Sequence, residues 1–301
     1  MRRLKISAIS YLNTAPLMWD FEHGRPAAEG DTLSAEDFEI SYTIPSRCAE
    51  ALRAGSADIG IIPAVTYATI PDLVILPDAA IAAKGPVRSI LLVSKTPLEQ
   101  ITTLAADTSS RSSVALADVL FRKFLGGARQ FTPMAPDLDA MLRRCDAALL
   151  IGDPALRVNS ASISPAGASR PQTSSPDYHL FDLAELWRQH TGKPFVFAFW
   201  AVRMTALADA RPDLDLAALF RHSRDHGLKP QNIDRIARAW ASRTGIAESE
   251  IRRYLTRHIH YHLDDECLQG LELFYRYAAE CALIPAAPEL RFLAASACLV
   301  H

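Results

Sequence analysis

Over the first two thirds of the chain, short apolar runs alternate with amphipathic stretches. The runs at 4–9, 38–44, 57–62, 74–81, 87–94, 101–106, 147–151 and 194–202 have the length and composition of buried strands. Between several of them, at 47–54, 113–125, 138–144 and 183–190, apolar positions recur at helical spacing. Such alternation predicts an α/β protein with a largely parallel sheet covered by helices on both faces. From residue 214 to 284 the pattern changes to four helical stretches without a strand, the last at 266–282 with Leu268, Leu271, Phe274 and Tyr275 on its apolar side. Residues 159–177, rich in Ser, Pro, Ala and Gly, read as a long loop, either a surface excursion or a flap near a site.

At 301 residues the chain exceeds what one hydrophobic core usually serves, so two domains are expected. A formal net charge of −2, with arginines scattered among acids, argues against a nucleic-acid partner. The start, Met-Arg-Arg-Leu-Lys5, imitates a signal peptide, but 6–14 lacks a sustained apolar stretch; with no apolar run of membrane-spanning length, a cytoplasmic protein without a membrane partner is expected. Cys48, Cys145, Cys267, Cys281 and Cys298 are far apart and form no C-x-x-C pair, so they read as reduced thiols.

Ligands of open α/β sheets sit where strands lead into helix N-termini. The strand-end residues are therefore the candidates: Ser10 and Tyr11 after 4–9, Ser46 as an N-cap after 38–44, the Arg88–Ser89 pair opening 87–94, and Gly152 with Asp153 after 147–151. The richest segment follows 101–106. There Thr108, Ser109, Ser110, Ser112 and Ser113 surround Arg111 just before a helix, more donors than a cap needs, and suited to a carboxylate. The histidines His258, His260 and His262 lie close together, but only His258 and His262 share a helical face, and no H-E-x-x-H accompanies them. Neither a metal nor an organic cofactor is expected, since no Walker loop, dinucleotide fingerprint or nucleophile elbow occurs.

Five blocks in order, Ile9-Ser-Tyr-Leu-Asn-Thr-Ala-Pro-Leu17, Gly85-Pro-Val-Arg-Ser89, Asp107-Thr-Ser-Ser-Arg-Ser-Ser-Val-Ala-Leu116, Leu149-Leu-Ile-Gly-Asp-Pro-Ala-Leu156 and Thr191-Gly-Lys-Pro-Phe-Val-Phe-Ala-Phe-Trp200, resemble the chorismate dehydratases of the futalosine route to menaquinone. Leu271-Glu-Leu-Phe-Tyr-Arg-Tyr-Ala-Ala279 resembles the family too, and 159–177 departs from it as an insertion. The resemblance implies a two-lobed fold like that of type II periplasmic binding proteins, with a ligand cleft between lobes. It implies a discontinuous first lobe of 1–94 with 200–301, an inserted lobe of 95–199, and crossings at 87–94 and 194–202. The implied reaction is dehydration of chorismate, a small dicarboxylate, to 3-[(1-carboxyvinyl)oxy]benzoate. Alternatives are a 1,4-dihydroxy-6-naphthoate synthase-like enzyme and a non-catalytic cytosolic dicarboxylate sensor. For the elimination, Asn13 and Ser89 are expected to orient substrate and assist the departing hydroxyl. Asp153 is the protein carboxylate that would compete with the substrate's own as proton acceptor.

Overall fold

A computed structural model describes residues 2–24, 38–162, 178–207 and 214–294. The first stretch of chain forms β1 (Leu4–Ile9), a 3₁₀ segment (Leu12–Met18), α1 (Trp19–His23), β2 (Phe38–Thr43), α2 (Pro45–Ala54), β3 (Ile59–Pro63), α3 (Ala64–Tyr67) and β4 (Leu73–Ala83). The middle forms β5 (Ile90–Ser94), β6 (Thr103–Asp107), α4 (Ser112–Phe124), β7 (Gln130–Met134), α5 (Leu138–Arg144), β8 (Ala147–Ile151), α6 (Gly152–Ser162), β9 (His179–Asp182) and α7 (Leu183–Thr191). There follow β10 (Phe195–Arg203), α8 (Met204–Leu207), α9 (Leu216–Gly227), α10 (Pro230–Thr244), α11 (Glu248–Arg253), a π-helical turn (Tyr254–His258) and α12 (Asp265–Glu280).

The strands make two five-stranded sheets, ordered β2-β1-β3-β10-β4 and β7-β6-β8-β5-β9. Both are mixed, which corrects the expectation of a largely parallel sheet. β1 runs parallel to β2 and β3, whereas β10 is antiparallel to β3 and β4; β6 runs parallel to β7 and β8, whereas β5 is antiparallel to β8 and β9. Periodicity reports burial, not direction, and a long apolar run such as β10, buried over eight of its nine residues, reads alike in either sense. Two edge strands escaped the apolar reading for a related reason. β7 is partly exposed and has Pro133 within it, and β9 is four residues of which two are exposed.

β4 lies in the first sheet and β5 in the second; α7 packs on the second and β10 returns to the first. The connections between sheets therefore run through 84–89 and 192–194, earlier than the expected boundaries at 94 and 199. At the second connection α12 comes so close that a Cβ on Gly270 would stand 2.2 Å from the Pro194 carbonyl oxygen. This contact fastens the helical last third to the junction between sheets. α6 runs on to Ser162, into the segment expected as a loop, and residues 163–177 lie outside those described. No helix among the described residues is long and apolar enough to cross a membrane. Cys48, Cys145 and Cys267 are buried free thiols and Cys281 is half-buried; Cys298 lies outside the described residues.

Candidate active site

The ends of β1, β3 and β8 and the start of β5 meet between the two sheets, around a cavity of about 40 Å³. Three helices from both lobes present their first turns to it: α2 through Pro45, α4 through Ser112 and Ser113, and α6 through Gly152. Their aligned peptide dipoles make the cavity receptive to anions, while the Ser46, Ser113 and Gly152 amides are held by protein acceptors. Tyr11 and Asn13 line it from the turn after β1, with Ser110 opposite and Phe197 and Ala198 of β10 forming an apolar floor. None of the described side chains lining the cavity carries a formal charge.

Ordinary ligand pockets measure roughly 300–1,000 Å³, so the lobes are shut in this conformation. Hydrogen bonds between backbone and side chains tie the two sides of the gap together. Tyr11 Oη donates to Ser109 Oγ at 3.2 Å, and the Leu12 amide donates to Asp153 Oδ1 at 3.1 Å. The Ser46 amide donates to the Ser109 carbonyl, and the Val65 amide to Ser112 Oγ, both at 3.2 Å. Asp153 is thus taken up as an acceptor between lobes. Burial pushes its carboxyl up to about 6, opposed by the Leu12 amide and by Arg157.

Ser89 sits immediately before β5, fully buried behind the cavity wall. Its carbonyl accepts from the Gly152 amide at 2.8 Å, and its Oγ accepts from the Tyr254 hydroxyl at 2.8 Å. The Asn13 side chain lies near the same phenol, and its Oδ1 accepts from the Thr14 hydroxyl at 3.3 Å. Gly152 is needed where it stands: φ is +59°, and a Cβ would meet the Tyr11 ring at 2.7 Å.

Other sequence candidates fall elsewhere. Ser46 is inside α2, whose first residue is Pro45 and whose cap is Ile44, so it is not the expected N-cap. Ser10 is exposed on the outer side of the Tyr11 turn and bonds to the Thr43 carbonyl. Arg88 adopts φ +65°, donates its amide to Asp182 at 2.6 Å, and pairs with Glu250 at 3.1 Å. Its side chain is buried away from the cavity, contrary to a ligand-facing role. Thr108 and Arg111 line a separate outer pocket of about 500 Å³ between α3, β6 and α4, which meets the central cavity at Ser110. The Arg111 guanidinium stands 3.1 Å from Glu50 of α2, so a protein carboxylate occupies the place expected for a ligand's. Ser110 Oγ accepts from the Ser113 amide in the first turn of α4. Ser109 shares its hydroxyl with Asp107, whose carboxyl is raised by burial.

The histidines have separate partners: His258 with the Pro86 carbonyl, His260 with Asp264, and His262 with Asp78. His260, Asp264 and Cys267 hold donor atoms within 4.8 Å of one another, but the Lys84 ammonium already lies 2.7 Å from Asp264. Sequence reasoning missed Tyr254, because it looked only at strand ends and this residue comes from the helical tail.

Comparisons with known proteins agree with this architecture. A family model described as menaquinone biosynthesis matches residues 4–280. A chorismate dehydratase of Thermus thermophilus is 30% identical over 291 residues, 96% of this chain and 98% of that relative. Among solved structures, a protein from Archaeoglobus fulgidus has a TM-score of 0.68 at 16% identity, over 94% of this chain and 98% of that one. The periplasmic aliphatic sulphonate binding protein SsuA of Escherichia coli has a TM-score of 0.64 at 17% identity, over 98% and 93%. These two show the fold: a two-lobed arrangement of the periplasmic-binding-protein kind. With the family model covering both sheets and the helical tail, the chain belongs to the menaquinone-biosynthesis family.

Proposed function

We propose that this protein is a hydro-lyase that dehydrates chorismate to 3-[(1-carboxyvinyl)oxy]benzoate, acting in the cytoplasm. The observation that carries the reading is the cavity where three helix N-termini from two lobes converge on neutral donors. Such a site suits a small dicarboxylate, and the name of the Thermus relative supplies which one.

The reaction removes the C3 proton and the C4 hydroxyl of the ring. The C3–H electron pair becomes the C3–C4 double bond, the C4–O bond breaks, and aromaticity drives the step. A protonated acceptor and a departing hydroxide together yield one water. Neutral hydroxyls, amides and helix ends hold a carboxylate without depressing its basicity as strongly as an arginine would. The substrate's enolpyruvyl carboxylate, fixed beside C3, is therefore the proton acceptor, and positioning supplies much of the rate. Asn13 and Ser89 orient the substrate and assist the leaving hydroxyl once the lobes part to admit it. Asp153 serves as an acceptor between lobes. Incubation of the purified protein with chorismate tests the reading: an aromatic product and one equivalent of water support it, and chorismate bound but unchanged favours a sensor.

A further inference from the structure

Between Ala83 and Ile90 the chain leaves the first sheet for the second, and this connection is held by one helical face. Glu250, Tyr254 and His258 follow one another at intervals of four residues, the spacing that stacks side chains on one side of a helix. Glu250 pairs with Arg88 at 3.1 Å, the Tyr254 hydroxyl donates to Ser89 Oγ at 2.8 Å, and His258 Nδ1 donates to the Pro86 carbonyl at 2.9 Å. The face spans the end of α11 and a π-helical turn, a geometry that recurs at functional sites. Arg88 is left-handed at φ +65° although it carries a Cβ, a conformation that persists only where the surroundings impose it. Three anchors on a four-residue segment impose it here.

We infer that Tyr254 is a positioning residue of the elimination site, setting the direction of the Ser89 hydroxyl through one buried phenol. This rests on the dehydratase reading above. The hydrogen-bond directions carry the argument. Tyr254 donates its only proton to Ser89 Oγ, so Ser89 must send its own proton elsewhere. Among the described residues no acceptor takes that proton, so Ser89, next to Ile90 of the cavity wall, has it to offer to the departing oxygen once the lobes part. The ring is 1% exposed, and burial raises its ionisation above the ordinary tyrosine range, so it remains a donor throughout the working range of pH. Packing alone would be served equally by phenylalanine. A phenol that donates to another buried hydroxyl in a dry site has a second task.

The test keeps the ring and removes the oxygen. With chorismate, Tyr254→Phe is expected to lower kcat about ten- to a hundred-fold while KM stays within about threefold, the split expected of a group that acts only in the transition state. In a Ser89→Ala background the same change is expected to cost less than about twofold, since it acts through the hydroxyl already removed. If Tyr254→Phe does not fold, 3-fluorotyrosine in place of Tyr254 serves instead: a kcat altered at constant KM, and unaltered in a Ser89→Ala background, is expected; an unaltered kcat with Ser89 present would overturn the inference. A native protein that leaves chorismate unchanged overturns the dehydratase reading and this inference with it. A native protein that turns chorismate over, beside a Tyr254→Phe variant of undiminished kcat, or one whose loss persists in full without Ser89, overturns the role of Tyr254 alone.

Discussion

Two connections enter the cleft, 107–113 and 84–89, and they are built in opposite ways. The first is dense in polar side chains, and the structure uses most of them on the protein itself: Ser109 with Asp107, Ser110 with the Ser113 amide, Ser112 with the Val65 amide, Arg111 with Glu50. The second is brief and unremarkable in composition. It is gripped at Pro86, Arg88 and Ser89 by side chains from one helical face some 165 residues away. Abundance of polar groups marks where backbone and lobes are tied together. Density of long-range anchoring marks where one side chain must hold its direction.

Substitution sharpens this contrast. Removing Ser89 or Asn13 takes away a donor matched to the transition state. Ser89→Ala and Asn13→Ala are each expected to lower kcat about a hundred- to a thousand-fold with product affinity retained. Steady-state kinetics beside equilibrium binding of product check this, and a loss confined to KM would break the distinction between the two connections. Next in size is Gly152→Ala. The added Cβ meets the Tyr11 ring at 2.7 Å at a backbone φ of +59°, so a loss of about 1–3 kcal/mol in unfolding free energy is expected. Denaturant titration reads it, and an unchanged midpoint would mean that Tyr11 yields freely.

The sequence made the strand-and-helix order of the first two thirds legible, because buried strands such as β1 and β8 announce themselves as apolar runs of their observed length. Strand direction was not legible there, since β10 is equally apolar whichever way it runs. Site positions were partly legible for the same reason. Tyr11, Asn13, Ser110 and Gly152 follow strands and line the cavity, as strand-end reasoning expects. That reasoning fails for Arg111, whose local setting suits an anion while its partner Glu50 is supplied by another lobe. It fails for Tyr254 as well, because the Glu250–Tyr254–His258 spacing has a meaning only once its face is seen against 86–89. A polar residue every fourth position beside an otherwise amphipathic helix was the available signal.

Asp153 tests the same contrast with a milder effect. As an acceptor between lobes, and not the base, it should tolerate Asp153→Asn with turnover within about tenfold of native. Its pH behaviour follows from its raised carboxyl, at about 6 in the closed form against about 3.9 for a free one. Ionisation costs the closed form nothing below about pH 4, progressively more as pH rises, and its full amount above about pH 6. The Asn variant escapes that cost, so its lead in Tm over the native protein should shrink from about pH 7 to about pH 4. A lead that widened on acidification would place the carboxylate in a stabilising pair instead. The smallest expected effect is that of Arg111→Ala. An arginine and a glutamate each about two-fifths exposed form a weak tie, so kcat and KM should stay within about threefold of native. A ten- to hundred-fold weaker affinity for chorismate would return Arg111 to the substrate and remove the contrast between the two connections.

The central claim is that a neutral site, organised by helix ends, Asn13 and the Tyr254–Ser89 pair, eliminates water from chorismate with the substrate's own carboxylate as base. The most direct measurement is single-turnover conversion of chorismate by the native protein and by Asp153→Asn, followed through the appearance of the aromatic product. The account expects both to form 3-[(1-carboxyvinyl)oxy]benzoate, with rates within about tenfold of one another. A native protein that converts chorismate beside an Asp153→Asn variant that binds it, folds and forms no product would make Asp153 the base and contradict the account.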